Sequence, residues 1–124
     1  MSDDAPAIGG ISALAIDCAA PQELARWWSR LLGGTVEPDP DGDATLHTLH
    51  TSGGLAIDFL KVPEGKTVKN RLHLDIGSSD FDAAVEQARA LGAEDADDVY
   101  DGGSWKVLRD PEGNEFCILR PRRS

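Results

Sequence analysis

Residues 72–76, LHLDI, restate residues 14–18, LAIDC, 58 positions further along the chain. Each is a short apolar run closed by an acidic and an apolar or thiol residue, the pattern of a buried strand, and each leads into a helical segment. The first helix is predicted to open at Pro21, whose fixed φ suits a first helical position. It runs as PQELARWWSRLL, with Leu24, Trp27, Trp28, Leu31 and Leu32 at helical spacing, until Gly33 and Gly34 stop it. The second opens at Ser79 or Asp80 and runs as DFDAAVEQARAL, with Phe81, Ala84, Val85, Ala88 and Leu91 on one face, until Gly92. The two endings, RLLGG and RALGA, match at an offset of 59.

Three strand candidates follow each helix. In the first half they lie near 35–37, 45–50 and 55–62, broken by DPDGD and SGG; in the second they lie near 94–100, 104–109 and 115–120, broken by DGG and DPEGN. The chain therefore reads as one α+β domain over residues 1–124, made of two βαβββ modules at about 10–62 and 71–121 with the polar linker PEGKTVKN at 63–70. The expected architecture is a curved, mostly antiparallel eight-stranded sheet around a trough, with the helices on the outer face. The face turned away from the helices has to be covered by curling, by a partner or by a ligand.

Composition narrows the function. With 124 residues, 40% apolar and 27% charged, the chain suits one globular domain with a real core. A formal charge of -10 repels a phosphate backbone, so nucleic acid is not an expected partner, and Arg120, Arg122 and Arg123 read as a solvated tail. No run of eighteen apolar residues exists, and the acidic MSDDAPAIGG start is unlike a signal peptide, so a cytoplasmic protein without membrane contact is expected. Cys18 and Cys117 lie inside apolar runs and read as buried free thiols. The chain carries no glycine-rich phosphate loop, no serine nucleophile elbow and no CxxC pair.

The first strand, the helix ending WWSRLLGG, the passage into KNRLHLDI and the closing DPEGNEFCIL together resemble glyoxalase-like domains of the vicinal oxygen chelate superfamily, over roughly residues 10–121. The resemblance implies metal ligands on the first and last strand of each module, pointing into the trough. The matching positions are Ala13, Asp58, Arg71 and Cys117. The repeat offset of 59 places Asp58 opposite Cys117 and leaves Ile57, Phe59, Phe116 and Ile118 facing the helices. Ala13 offers no donor and Arg71 brings a positive charge, so no metal and no other cofactor is expected. A displaced set of His73 with Asp58 and Cys117 is the one alternative. His47 and His50 face opposite sides of their strand and cannot chelate together.

Alternation turns Ala15, Asp17, Arg71, His73 and Asp75 inward and Leu14, Ile16, Leu72, Leu74 and Ile76 toward the helices. Arg71, Asp17 and Asp75 either satisfy one another as an internal ion cluster, or Arg71 offers its planar fork to a ligand while His73 accepts a proton. Trp105 shares parity with Val107 and Arg109, which aims its ring into the trough or places it at a rim or dimer contact. Of Trp27 and Trp28, both helix-borne, at least one reads as core. Cys117 lacks a general base and, buried, is a poor nucleophile.

The candidate ligand-binding residues are thus Asp17, Asp58, Arg71, His73, Asp75, Trp105 and Cys117. The expected function is metal-independent binding of a small organic ligand, similar to the glyoxalase/bleomycin resistance type, in a homodimer of the kind the family forms. The alternative is a lyase, isomerase or dioxygenase that uses a displaced metal or His73 with Asp17 or Asp75 as acid and base.

Overall fold

The computed structural model describes residues 7–38, 45–97 and 105–121. The first module comprises β1 (Leu14–Cys18), α1 (Pro21–Leu32), β2 (Gly34–Pro38), β3 (Leu46–Thr51) and β4 (Ala56–Lys61). The second repeats the order with β5 (Leu74–Ile76), α2 (Phe81–Ala90), β6 (Glu94–Asp95), β7 (Trp105–Arg109) and β8 (Glu115–Leu119). Strand order is β1-β4-β3-β2 in one sheet and β5-β8-β7-β6 in the other. In each, the first and last strands of the module run parallel and the remaining pairs antiparallel, so two βαβββ modules are confirmed. The expected strand at 94–100 is seen at Glu94–Asp95; residues 98–104 lie outside the described residues.

Two points of the expectation change. The eight strands form two four-stranded sheets, with no ladder joining β1 to β5 among the described residues. The cause lies in β5, which is strand only over Leu74–Ile76; residues 71–73 leave strand geometry, and Leu72, expected on the helix-facing side, is 86% exposed. The ladder register also corrects the repeat. Ala15 pairs with Asp58 and Asp75 pairs with Cys117, so Ala15 and Asp75 hold equivalent places and the first strands superpose at an offset of 60. Hence His73, not Arg71, occupies the place equivalent to Ala13. A two-residue shift keeps every side chain on its face, because strand parity has a period of two.

That parity builds the core. Leu49, Ile57, Phe59, Leu108, Phe116 and Ile118 are buried against both helices, joined by Leu24, Trp28, Val85 and Ala88. Asp58 and Cys117 point to the opposite faces, as expected. Trp27 and Trp28 of α1 pack edge-on to Phe116 of β8, with ring centroids 5.9 and 4.9 Å apart, so the two modules share one core.

The DPEGN turn joins the modules as well. Trp28 Nε1 donates to Asp110 Oδ2 at 2.9 Å, and Trp27 Nε1 donates to the Leu91 carbonyl at 2.8 Å. α1 begins at Ala20 without a side-chain cap, and Glu112 supplies a carboxylate there, accepting from Ala19 N at 2.7 Å and Ala20 N at 2.9 Å. Negative charge at that end also suits the helix dipole. α2 caps itself through Asp80, whose side chain accepts from Ala83 N. After α1 the chain turns at Gly34 with φ +112; a Cβ there would stand 2.0 Å from the His50 carbonyl oxygen. Among the described residues no helix is long and apolar enough to cross a membrane.

Candidate functional site

Because β1 and β5 do not pair, a cleft of about 510 Å³ opens between β1 and the segment 70–74. Trp28 and Phe116, each 1% exposed, lie under its floor, and its polar lining includes Asp17, Asn70, Arg71 and His73. Trp27 and Trp28 are both buried in the core, as sequence spacing implies for at least one of them, and Trp28 reaches the cleft only from beneath. Arg71 and Asp17 are exposed, and neither side chain makes a hydrogen bond or ion pair among the described residues. The internal ion cluster of Arg71, Asp17 and Asp75 is therefore not formed.

Arg71 is presented by an anchor that the sequence did not announce. Glu115, 4% exposed, accepts from Asn70 N at 2.9 Å, pairs with Lys66 Nζ at 2.9 Å and lies 3.5 Å from Arg109 Nε. Asn70 Nδ2 donates to Asn114 Oδ1 at 3.0 Å. Burial alone would raise the Glu115 pKa, but the Asn70 N–H and the Lys66 ammonium outweigh it and hold the carboxyl below its ordinary range. The end of the linker is thus pinned to β8, and Arg71 follows directly. A glutamate opening the buried run EFCIL was the signal available in the sequence.

At one end of the cleft a second constellation forms around His73. Its Nδ1 lies 3.2 Å from Asp75 Oδ1 and 3.7 Å from Cys117 Sγ. One ligand atom from each of the three residues lies within 4.8 Å of the other two. Cys117 is 3% exposed, and burial, then the Asp75 carboxylate, push its thiol up to about 11. Asp58 is not part of this group: it accepts from Thr48 Oγ1 at 2.6 Å on the other sheet. Of the alternative set His73, Asp58 and Cys117, the fold brings His73 and Cys117 together with Asp75 beside them and leaves Asp58 apart.

The seven candidate residues are therefore divided. Asp17, Arg71 and His73 line the cleft; Asp58, Asp75, Cys117 and Trp105 do not. Trp105 pairs with Leu119 on the face that carries Val107 and Cys117 and is 39% exposed, outside the lining of the cleft. His47 is buried on the core side while His50 is exposed beside Glu37 at 2.7 Å, opposite faces as expected.

The metal positions implied by the resemblance do not supply four donors. Ala13 has none, Asp58 is engaged by Thr48, and the place equivalent to Ala13 in the second module holds His73 beside a thiol. A hard cation that prefers oxygen ligands does not fit such a set.

Comparison with known proteins agrees with this architecture. No curated protein matches the sequence. A hypothetical protein from S. aureus has a similar fold, with 13% identity, a TM-score of 0.73 and coverage of 97% of this chain and 99% of that one. The fosfomycin resistance protein FosX from Listeria monocytogenes is similar at 14% identity and a TM-score of 0.70, covering 93% of each chain, and a mutant of it has been solved with Mn(II) and a dihydroxypropylphosphonic acid. TnmS3, an antibiotic-binding protein from a Streptomyces species, is similar at 15% identity and a TM-score of 0.68, covering 94% of this chain and 99% of that one. The family described as glyoxalase-like domain matches residues 13–119. With that match over two βαβββ modules, the chain belongs to the glyoxalase-like domain family of the vicinal oxygen chelate superfamily.

Proposed function

We propose that this chain is a binding protein for a small aromatic or apolar molecule that carries an acidic or carbonyl group, held in the cleft between β1 and the segment 70–74. The observation that carries this reading is Arg71, a guanidinium without a protein partner among the described residues, set beside the apolar side chains of Leu14, Ile16 and Leu74. A planar fork of donors recognises a carboxylate or phenolate bidentately, and the apolar side chains of Leu14, Ile16, Leu72 and Leu74 that line the cleft take the apolar body. Capture by these groups needs no metal. The antibiotic-binding and resistance proteins of the same fold support a sequestering role.

The test is a titration of an aromatic carboxylate and its neutral amide, read by tryptophan fluorescence from Trp28 beneath the cleft floor. Arg71→Ala should weaken the carboxylate by about 1.5–3 kcal/mol, the worth of a hydrogen bond to a charged group, and the amide much less. Since Arg71 is exposed and unpaired, thermal unfolding of this variant should stay close to that of the parent protein. Equal loss for both ligands, or none, overturns the assignment of Arg71.

The same reading includes a cytoplasmic homodimer. Free Cys18 and Cys117 suit a reducing compartment, and Ile8, Ile11 and Leu72, between 83% and 86% exposed, lie near the unpaired edges of β1 and β5. Sedimentation that shows only monomer at micromolar concentration contradicts the dimer. The second reading, a lyase, isomerase or dioxygenase, is favoured by one observation, the His73, Asp75 and Cys117 group at the edge of the cleft. Turnover of a cleft ligand that is lost in His73→Ala would select it.

A further inference from the structure

We propose that the ligand of the cleft is a zwitterion, an apolar molecule with a carboxylate at one end and an ammonium group at the other, the carboxylate held by Arg71 and the ammonium by Asp17. This rests on the cleft being the binding site and on Arg71 taking the acid, and it adds a second charge to the ligand.

Among the described residues four ionisable side chains line the cleft: Asp17, Arg71, His73 and Glu115. Two of them are answered within the protein. Glu115, 4% exposed, accepts from Asn70 N and pairs with Lys66 Nζ, each at 2.9 Å, and His73 Nδ1 lies 3.2 Å from Asp75 Oδ1. The other two, Asp17 and Arg71, are opposite in sign, and their side chains meet neither each other nor any other described residue in a hydrogen bond or ion pair.

The chain holds these two charges apart. Asp17 stands on β1, in the ladder where it pairs with Leu60, and Arg71 stands on the segment 70–74 across the cleft. Asn70 is fastened to Glu115 and Asn114, so the backbone that carries Arg71 is set from a fixed point. The same two walls supply apolar surface, Leu14 and Ile16 from one and Leu72 and Leu74 from the other. Leu72 is 86% exposed, and the apolar middle of a ligand would cover it.

Charge then selects among ligands. The chain carries a formal charge of -10, and Asp17 adds its carboxylate on the wall across from Arg71. A ligand that is only an acid gains at Arg71 and is repelled by Asp17; a ligand that is only an amine meets the reverse. A zwitterion brings no net charge into the acidic field and gives each wall its opposite, through two charge-assisted hydrogen-bonding contacts. The cleft, at about 510 Å³, has the size of a small-molecule site.

The experiment is isothermal titration calorimetry of the full chain at neutral pH with three probes that share one ring: para-(aminomethyl)phenylacetate, para-methylphenylacetate and para-methylbenzylamine. The zwitterion should bind about tenfold or more tighter than either singly charged probe, the worth of one added hydrogen bond between charged groups. Asp17→Asn should bring the zwitterion down to the level of the acid and leave the acid no weaker than with the parent. Arg71→Gln should bring it down to the level of the amine. Both residues are exposed, so thermal unfolding of the two variants should match the parent and any loss of affinity belongs to the site. The proposal is overturned if the acid binds the parent as tightly as the zwitterion, or if Asp17→Asn weakens both by the same factor. In either case an acid that still weakens in Arg71→Gln leaves the reading of Arg71 standing. Failure of all three probes to bind, or indifference of the acid and the zwitterion to Arg71→Gln, overturns that reading as well.

Discussion

Trp28 and Asp110 are 82 positions apart in sequence and 2.9 Å apart in space, the indole N–H donating to a buried carboxylate. Asp110, 4% exposed, also accepts from Glu112 N and Asn114 N through its other oxygen, so one side chain holds the turn together and ties it to α1. Asp110→Ala leaves four donors short of a partner, Trp28 Nε1, Glu112 N, Asn114 N and Asn114 Nδ2, at about 1–3 kcal/mol for each that stays buried. Net destabilisation of about 2–4 kcal/mol is expected in reversible urea unfolding, after water reaches some of them. A loss below about 0.5 kcal/mol would show that the turn is held by other contacts.

Strand parity makes a paired prediction. Phe59 is fully buried and its removal, Phe59→Ala, should cost about 3–5 kcal/mol. Leu72, which alternation alone would place in the core, is 86% exposed, and Leu72→Ala should stay within about 0.5 kcal/mol. Comparable losses for the two would mean that the segment 71–73 pairs as strand after all.

Gly34→Ala tests the turn after α1. The positive φ and the His50 carbonyl oxygen 2.0 Å from the added Cβ leave no room for alanine. Destabilisation of more than about 1 kcal/mol is expected, with β2 displaced from β3. Gly54, whose φ is +100 with open space around it, provides the control: Gly54→Ala should cost less, because only backbone strain acts there.

Alkaline pH should weaken the fold through both thiols. Cys18 is raised from 9.0 to about 11 by burial first and then by Glu112, Asp110 and Asp17; Cys117 is raised to about 11 by burial and Asp75. Between pH 9 and 11 the unfolded chain gives up thiol protons that the folded chain keeps, so stability falls as pH rises through that window. Cys18→Ala and Cys117→Ala should each flatten this fall relative to the parent. Unfolding midpoints at pH 8 and pH 11 for the three proteins provide the comparison, and identical slopes would remove the thiols as its cause.

The fold was legible because its signals are local and periodic. Both helices, the βαβββ repeat and the buried face made by Ile57, Phe59, Phe116 and Ile118 follow from spacing alone. The ladders superpose the first strands at an offset of 60 where the sequence match gives 58, since a slip of two residues changes no side chain's face and leaves no trace in the pattern. That slip is why Arg71 was matched to Ala13 when His73 holds that place. Strand parity brings three of the seven candidate residues, Asp17, Arg71 and His73, to one cleft. The rest depends on which strands fail to pair, and single-chain periodicity carries no information about that. Asp58 and Cys117 share a parity in their own modules yet face different surroundings, Thr48 in one case and His73 in the other.

Glu112 reaches back 92 positions to the chain entering α1. During synthesis the first βαβββ unit is therefore made before the carboxylate that secures its helix exists, and it waits half-finished, with Trp28 also lacking Asp110. Contacts of such long sequence separation are made late, after the entropy of closing the intervening chain has been spent. The two halves should accordingly be inseparable as products: an isolated first half would expose its tryptophans and aggregate, while the whole chain unfolds in a single cooperative step.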